Sequence, residues 1–386
     1  MVPTQAPAIN PLFGGHRNSP QATDEALELR SFSFCRQFGK EEIEAIQQAM
    51  PSSPCCLLPD LQIQENSTFD YYVLTPKNSP SFDKAILLLH GLNERSWDKY
   101  LPWAEALVQA TGKPVILFPI AFHMHRSPEA WCHPRSAQPW LERRRMQWPQ
   151  LEAASFLNLA LSSRLSEVPL RFYTSGRETI HNLWQLFAEI RGGAHPLFAF
   201  GSSIDIFAYS IGGLLSQVLL YANPGHLTHN SRLFIFCGGS IFSHMNGTAK
   251  DIMDREAFRR IYRYYIHDFF DDDVRRSAPE AYKDDFLEHA FKMMIRPDME
   301  KQARENFFMT ARDRIRIVSL QQDCIMPGTG VQAALGPAAA DIAQHWDFPY
   351  SYSHQNPFPK DSPSSPHALV QEAFQQVFTH AGSFLK

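Results

Sequence analysis

Ser210 stands in "DIFAYSIGG" (Asp205 to Gly213), between an apolar, β-branched run and two glycines. A hydroxyl placed where a buried strand ends and a helix begins is either a packing accident or a nucleophile held on a sharp turn. An alcohol is a poor nucleophile near neutral pH. It needs a base within hydrogen-bond reach and a carboxylate to orient that base. The turn is crowded, so the residues two before and two after the serine must be small, and they are Ala208 and Gly212. Histidines available as base are His345, His354 and His367, and the carboxylates are Asp323, Asp341 and Asp347. A different chemistry is open to "FHMHRSPEAWCH", where His123, His125, Cys132 and His133 have the residue types of a zinc site.

These residues need elements to hold them. "KAILLLHG" (Lys84 to Gly91), "KPVILFPI" (Lys113 to Ile120), "SSIDIFAYS" (Ser202 to Ser210), "SRLFIFCGG" (Ser231 to Gly239) and "DRIRIVSL" (Asp313 to Leu320) read as buried strands. "TFDYYVLTP" (Thr68 to Pro76) alternates like an edge or hairpin strand, and a weaker strand is expected near Asp341 to Phe348. Helices are expected over Lys40 to Met50, Tyr100 to Gly112 and Glu178 to Gly193. Others follow Ser210, with Leu214, Leu215, Val218 and Leu219 in one stripe, and close the chain from His367. Buried strands alternating with helices predict a mostly parallel sheet with right-handed crossovers.

In such a sheet, ligands bind at the carboxyl ends of the strands. The polar residues there are His90, Asn93 and Glu94, then His123, His125 and Arg126, then Ser210, then Asp323 and finally His354. The expected division is an N-terminal extension over 1–66, a first core part over 67–242, a strandless helical cap insertion over 243–310, and a second core part over 311–386.

Serine, aspartate and histidine, each behind its own strand, stand in the chain order of the α/β-hydrolase triad. "AYSIGG" resembles that superfamily's nucleophile elbow, "LLLHGLNE" its oxyanion loop, "DCIMP" its acid loop and "SHQNPFP" its histidine loop. The resemblance runs from about Phe69 to the C-terminus, and is nearest to bacterial α/β-hydrolase-like proteins of unknown function. It implies an α/β-hydrolase fold and a serine hydrolase of the esterase or lipase kind, acting on an ester or thioester through an acyl-enzyme. Ser210 is then the nucleophile, His354 the base and Asp323 its orienting acid. The backbone N–H groups of Leu92 and Ile211 form the oxyanion hole. His90, Asn93, Glu94, His123, His125, Arg126 and Tyr209 are the expected substrate-binding residues. The same scaffold could instead serve as a catalytically idle ligand- or partner-binding protein.

Bulk properties narrow the field. A net charge of -4, from 36 basic and 40 acidic residues, points to neither nucleic acid nor an anionic membrane as partner. Six cysteines without a CxxC pair do not form a disulfide framework and suit a reducing cytoplasm. "MVPTQAPAINPLFGGHRN" lacks the pattern of a signal peptide, and no stretch approaches the roughly 18 apolar residues of a spanning helix. The expectation is a cytoplasmic protein with a small-molecule acyl substrate, no cofactor and no metal. Arg143 to Arg145 read as a solvated helix face.

Overall fold

Valine, isoleucine, leucine and phenylalanine fill the central strands, and the pleat divides them between two faces. Along Phe82–Leu89, Leu87 and Leu89 join a buried cluster with Ile180 and Val218, while Ile86 and Leu88 join another with Trp103 and Phe378. The next strand repeats the division: Ile206 and Ala208 part from Phe207 and Tyr209. Alternating Cβ directions are the cause. A strand that is apolar on both faces must be covered on both, which places helices above and below.

The computed structural model describes residues 21, 24–50, 58–77, 79, 81–269, 285–360 and 363–386. Eight strands make one sheet: β1 (Leu27–Cys35), β2 (Thr68–Pro76), β3 (Phe82–Leu89), β4 (Val115–Leu117), β5 (Phe198–Tyr209), β6 (Leu233–Phe236), β7 (Ile315–Leu320) and β8 (Ala343–Trp346). Their spatial order is β1-β2-β4-β3-β5-β6-β7-β8. β1 pairs antiparallel with β2 and β2 with β4, and all the remaining pairs are parallel. The longer helices are α1 (Lys40–Ala49), α2 (Leu101–Thr111), α3 (Pro134–Gln147), α4 (Leu159–Glu167), α5 (Leu170–Arg191), α6 (Ile211–Ala222), α7 (Arg255–Arg263), α8 (Phe286–Lys292), α9 (Lys301–Ala311), α10 (Gly328–Leu335) and α11 (His367–Leu385). α2 and α11 cover one face of the sheet, and α5 and α6 the other. This is the mostly parallel, helix-flanked α/β-hydrolase fold expected from the sequence. Among the described residues, no helix is long and apolar enough to cross a membrane.

Several elements depart from the sequence expectation. Within the stretch read as an irregular extension, Leu27–Cys35 is an edge strand in register with β2 from Leu27↔Pro76 to Cys35↔Thr68. It buries only Leu27 and Phe34 fully, so its hold on the sheet comes mainly from the backbone ladder. Residues 1–20, 22–23 and 51–57 of that stretch lie outside the described residues.

The sequence reading places only a helix face at Arg143 to Arg145 where α3 spans Pro134–Gln147, it does not include α4, and α5 begins at Leu170 rather than Glu178. The helical face of α5 is masked in the sequence because it buries Arg171, Arg177, Glu178, Asn182 and Gln185 beside its apolar residues. Arg144 does not lie on a solvated face. It is buried, with Nε 2.6 Å from Asp254 Oδ2 and Nη2 2.9 Å from Asp254 Oδ1. That fork ties α3 to the start of α7. The segment between β6 and β7 carries α7, α8 and α9, and its residues 270–284 lie outside the described ones.

Candidate active site

β5 ends at Tyr209 and α6 begins at Ile211, which leaves Ser210 alone on the corner. Its backbone sits at φ 56° and ψ -124°, a region a side chain rarely adopts, at a cost of order 1–3 kcal/mol. The surroundings enforce it. A Cβ on Gly212 would lie 2.7 Å from the Leu89 carbonyl oxygen, and one on Gly238 would lie 2.8 Å from that of Ser210. The corner is therefore wedged between the ends of β3 and β6, and the two glycines make room for it. Ala208, two before the serine, is fully buried.

β7 delivers Asp323 and β8 delivers His354 to the same place. Ser210 Oγ donates to His354 Nε2 at 2.7 Å, and His354 Nδ1 donates to Asp323 Oδ2 at 2.7 Å. The remaining oxygen of Asp323 accepts the backbone N–H groups of Ile325 at 2.9 Å and Met326 at 2.8 Å. These bonds set the histidine tautomer, since Nδ1 faces an acceptor and Nε2 a hydroxyl. None of the three residues is more than 4% exposed. The rivals are engaged elsewhere: His345 Nδ1 meets Ser319 Oγ at 3.0 Å, and Asp347 Oδ1 accepts the Tyr352 hydroxyl at 2.7 Å. Asp341 is exposed and His367 opens α11.

The turn after β3 lies against the serine. A Cβ on Gly91 would meet Ser210 Cβ at 3.4 Å. Leu92 follows on this turn, and Ile211 is the first residue of α6, where the backbone N–H has no carbonyl within the helix to bond. His90 shapes the turn from within. Its Nδ1 donates to the Gly91 carbonyl at 2.8 Å and its Nε2 accepts the Ile120 N–H at 3.0 Å. Burial, reinforced by the neighbouring His123, pushes its pKa well below the usual histidine value, so the ring is neutral.

The expected substrate-binding residues separate into groups. Arg126 is a correction. Its buried guanidinium bonds Asn66, the Pro119 carbonyl, Glu178 and Asn182, and it lies 3.9 Å from the Phe69 ring centroid. Burial lowers its pKa to about 9, which leaves it charged at neutral pH beside Glu178. His125 is a second correction, because its Nε2 meets the Asp70 carbonyl on β2 and its ring packs against Tyr72. His90 is a third, since both ring nitrogens serve the backbone.

His123 Nδ1 donates to Ala121 at 2.8 Å, and burial holds its pKa at about 4. Asn93, at φ 63°, donates to the carbonyls of Leu157 at 3.0 Å and Asp251 at 2.8 Å, tying the turn to both helical excursions. Glu94 accepts from the Tyr100 hydroxyl and pairs with Lys99. Tyr209 lies flat under His354, with centroids 5.5 Å apart and planes at 20°, and its hydroxyl donates to the His354 carbonyl. Lys99 and Tyr100 escaped sequence reasoning. They sit where α2 begins, and no local pattern marks them.

Phe172, Leu214, Phe242, Tyr265 and Met294, among others, pack closely around an apolar crevice too tight to admit a water molecule. Leu214 is one helical turn beyond Ser210 on α6, and helical side chains lean towards the N-terminus. A wider groove of about 720 Å³ between β8 and α11 contains none of the residues named above for the site.

Residues 25–386 match the model of a family described as "Family of unknown function (DUF6051)", and the chain belongs to that family. No curated protein is significantly similar to it in sequence. Solved structures similar to it include carboxyl esterase 2 of the mycorrhizal fungus Tuber melanosporum, at 10% identity over 96% of this chain and 91% of that one, with a TM-score of 0.46. A thermostable esterase of Pseudomonas putida is 10% identical over 94% and 84%, with a TM-score of 0.45. A bacterial heroin esterase is 11% identical over 94% and 86%, with a TM-score of 0.45.

Proposed function

We propose that this member of the family is a serine hydrolase acting on an ester or thioester of a small molecule. The observation that carries the reading is the pair of 2.7 Å contacts linking Ser210 Oγ, His354 and Asp323 in one buried line. In the proposed first step, Ser210 Oγ attacks the acyl carbon while its proton passes to His354 Nε2. The carbonyl oxygen becomes an oxyanion facing the N–H groups of Leu92 and Ile211, the latter at a helix N-terminus whose dipole favours negative charge. Asp323 stabilises the imidazolium and holds its orientation. His354 then returns the proton to the leaving alcohol or thiol as the bond to it breaks. A water, deprotonated by the same nitrogen, releases the acid and restores Ser210.

One further assignment belongs to this reading. The helices of 243–310, joined to the oxyanion turn through Asn93 and Asp251, act as a cap that selects the leaving group.

A fluorophosphonate probe tests the proposal. Wild-type protein is expected to be phosphonylated, and Ser210→Ala is expected to lose all labelling. Folded wild-type protein that resists the probe would overturn it in favour of a binding protein built on the same scaffold.

A further inference from the structure

The oxyanion turn and the histidine loop come from opposite ends of the domain's sequence, yet one polar cluster touches both. The Gly91 N–H donates to the Tyr100 hydroxyl at 2.9 Å. That hydroxyl donates to Glu94 Oε1 at 2.7 Å. The same carboxylate oxygen pairs with the Lys99 ammonium. Lys99 Nζ in turn lies 3.5 Å from the Gln355 carbonyl, beside His354, and 4.7 Å from the Tyr209 ring centroid. Tyr209 carries the His354 ring on its face and bonds the His354 carbonyl. The chain is thus closed: Gly91, Tyr100, Glu94, Lys99, then Gln355 directly and His354 through Tyr209.

We propose that Glu94, Lys99 and Tyr100 form a clamp that couples the oxyanion turn to the histidine loop, so that donor and base are positioned as one unit. They are positioning residues, since no atom of theirs takes part in the proposed reaction. The inference rests on the hydrolase reading for its consequence in rate, but the mechanical link stands apart from it. The link is suited to the task. Tyr100 is fully buried, and burial with Glu94 nearby raises its pKa well above the usual tyrosine value, so the phenol keeps its proton throughout the working range. Its oxygen accepts from one side and donates to the other without change of charge. Lys99 and Glu94 are each about a quarter exposed, at 24% and 23%, and neutralise one another beside the histidine. Misplacing a reacting group by about 1 Å costs up to a hundredfold in rate, so a clamp of this kind shows in kcat rather than in binding.

The test uses full-length wild-type, Lys99→Met, Lys99→Arg and Tyr100→Phe proteins. Hydrogen–deuterium exchange is followed in peptides covering 90–95 and 353–356. Lys99→Met is expected to speed exchange several-fold in both peptides, and Lys99→Arg to restore both. A change confined to one peptide, or to neither, overturns the clamp. In parallel, the fluorophosphonate reaction is resolved into its maximal rate and half-saturating concentration. Lys99→Met and Tyr100→Phe are expected to lose about tenfold or more in maximal rate, with half-saturation within twofold of wild type. An unchanged rate, or a loss carried wholly by half-saturation, also overturns it. If wild-type protein itself fails to react, the hydrolase reading falls and the exchange experiment still decides the coupling. Should Lys99→Met not fold, Glu94→Gln, which breaks the same ion pair, is read in its place.

Discussion

Two histidines at the carboxyl edge of the sheet are almost equally buried and are used in opposite ways. In the turn after β3, His90 gives both ring nitrogens to the backbone, at Gly91 and Ile120. In the loop after β8, His354 gives both to side chains, an acid at Asp323 and a hydroxyl at Ser210. Amide partners hold an imidazole in one neutral state and build a scaffold. A carboxylate partner supports the gain and loss of a proton. Burial is shared by the two sites, so the identity of the partner, not the degree of burial, is what distinguishes them.

The sharpest way to break this contrast is at His354 itself. His354→Gln is expected to cut turnover or phosphonylation at least about a thousandfold while leaving the melting temperature nearly unchanged. Retained reactivity in a folded His354→Gln protein would remove His354 from the chemistry. Asp323→Asn comes next. Its amide oxygen can still accept from Ile325 and Met326, but it no longer offers His354 a charge, and a loss approaching ten-thousandfold in kcat is expected. A loss below tenfold would make Asp323 merely a turn residue.

The reverse pattern is expected at His90. His90→Ala leaves the Ile120 N–H unpaired and opens a buried space, so stability should fall by about 2–4 kcal/mol in chemical denaturation. If His90→Ala is as stable as wild type, the scaffold role assigned to His90 is wrong.

An effect of similar size is expected in pH. His123 binds a proton near pH 6.5 when unfolded but only near pH 4 when folded, because burial opposes the charge. The unfolded state therefore holds more protons in that window. The contribution is fully present above pH 6.5 and is lost as pH falls to 4, by on the order of 3 kcal/mol. Unfolding midpoints of wild type and His123→Gln measured from pH 7 to 4 should diverge, with the variant falling less steeply. Parallel curves would show that His123 is solvated in the folded protein.

Much of this was legible in the sequence, for a local reason. The central strands announce themselves as continuous apolar runs, and the residue that interrupts each run at its end is conspicuous. Ser210 is such a residue; Asp323 and His354 stand three and eight residues beyond the ends of β7 and β8, and the sheet brings the three side chains together. The small neighbours of Ser210 mark the corner in the same local way. What stayed hidden is polar and paired at long range. Arg126 and Glu178 are 52 positions apart and Arg144 and Asp254 are 110 apart. Each looks solvent-facing by type and becomes buried only because its partner arrives. β1 escaped notice because an edge strand is held mainly by backbone bonds, which carry no side-chain signature.

The sequence by itself determined the parallel sheet, the order of its strands along the chain and the three residues standing behind them, because apolar periodicity and its interruptions are local properties. Only the tertiary structure decided which histidine faces a carboxylate and which faces the backbone, and which charged residues lie in the core. It alone brought Glu94, Lys99 and Tyr100 between the two loops of the site. A polar side chain's role is set by the group opposite it, and that group is supplied by folding.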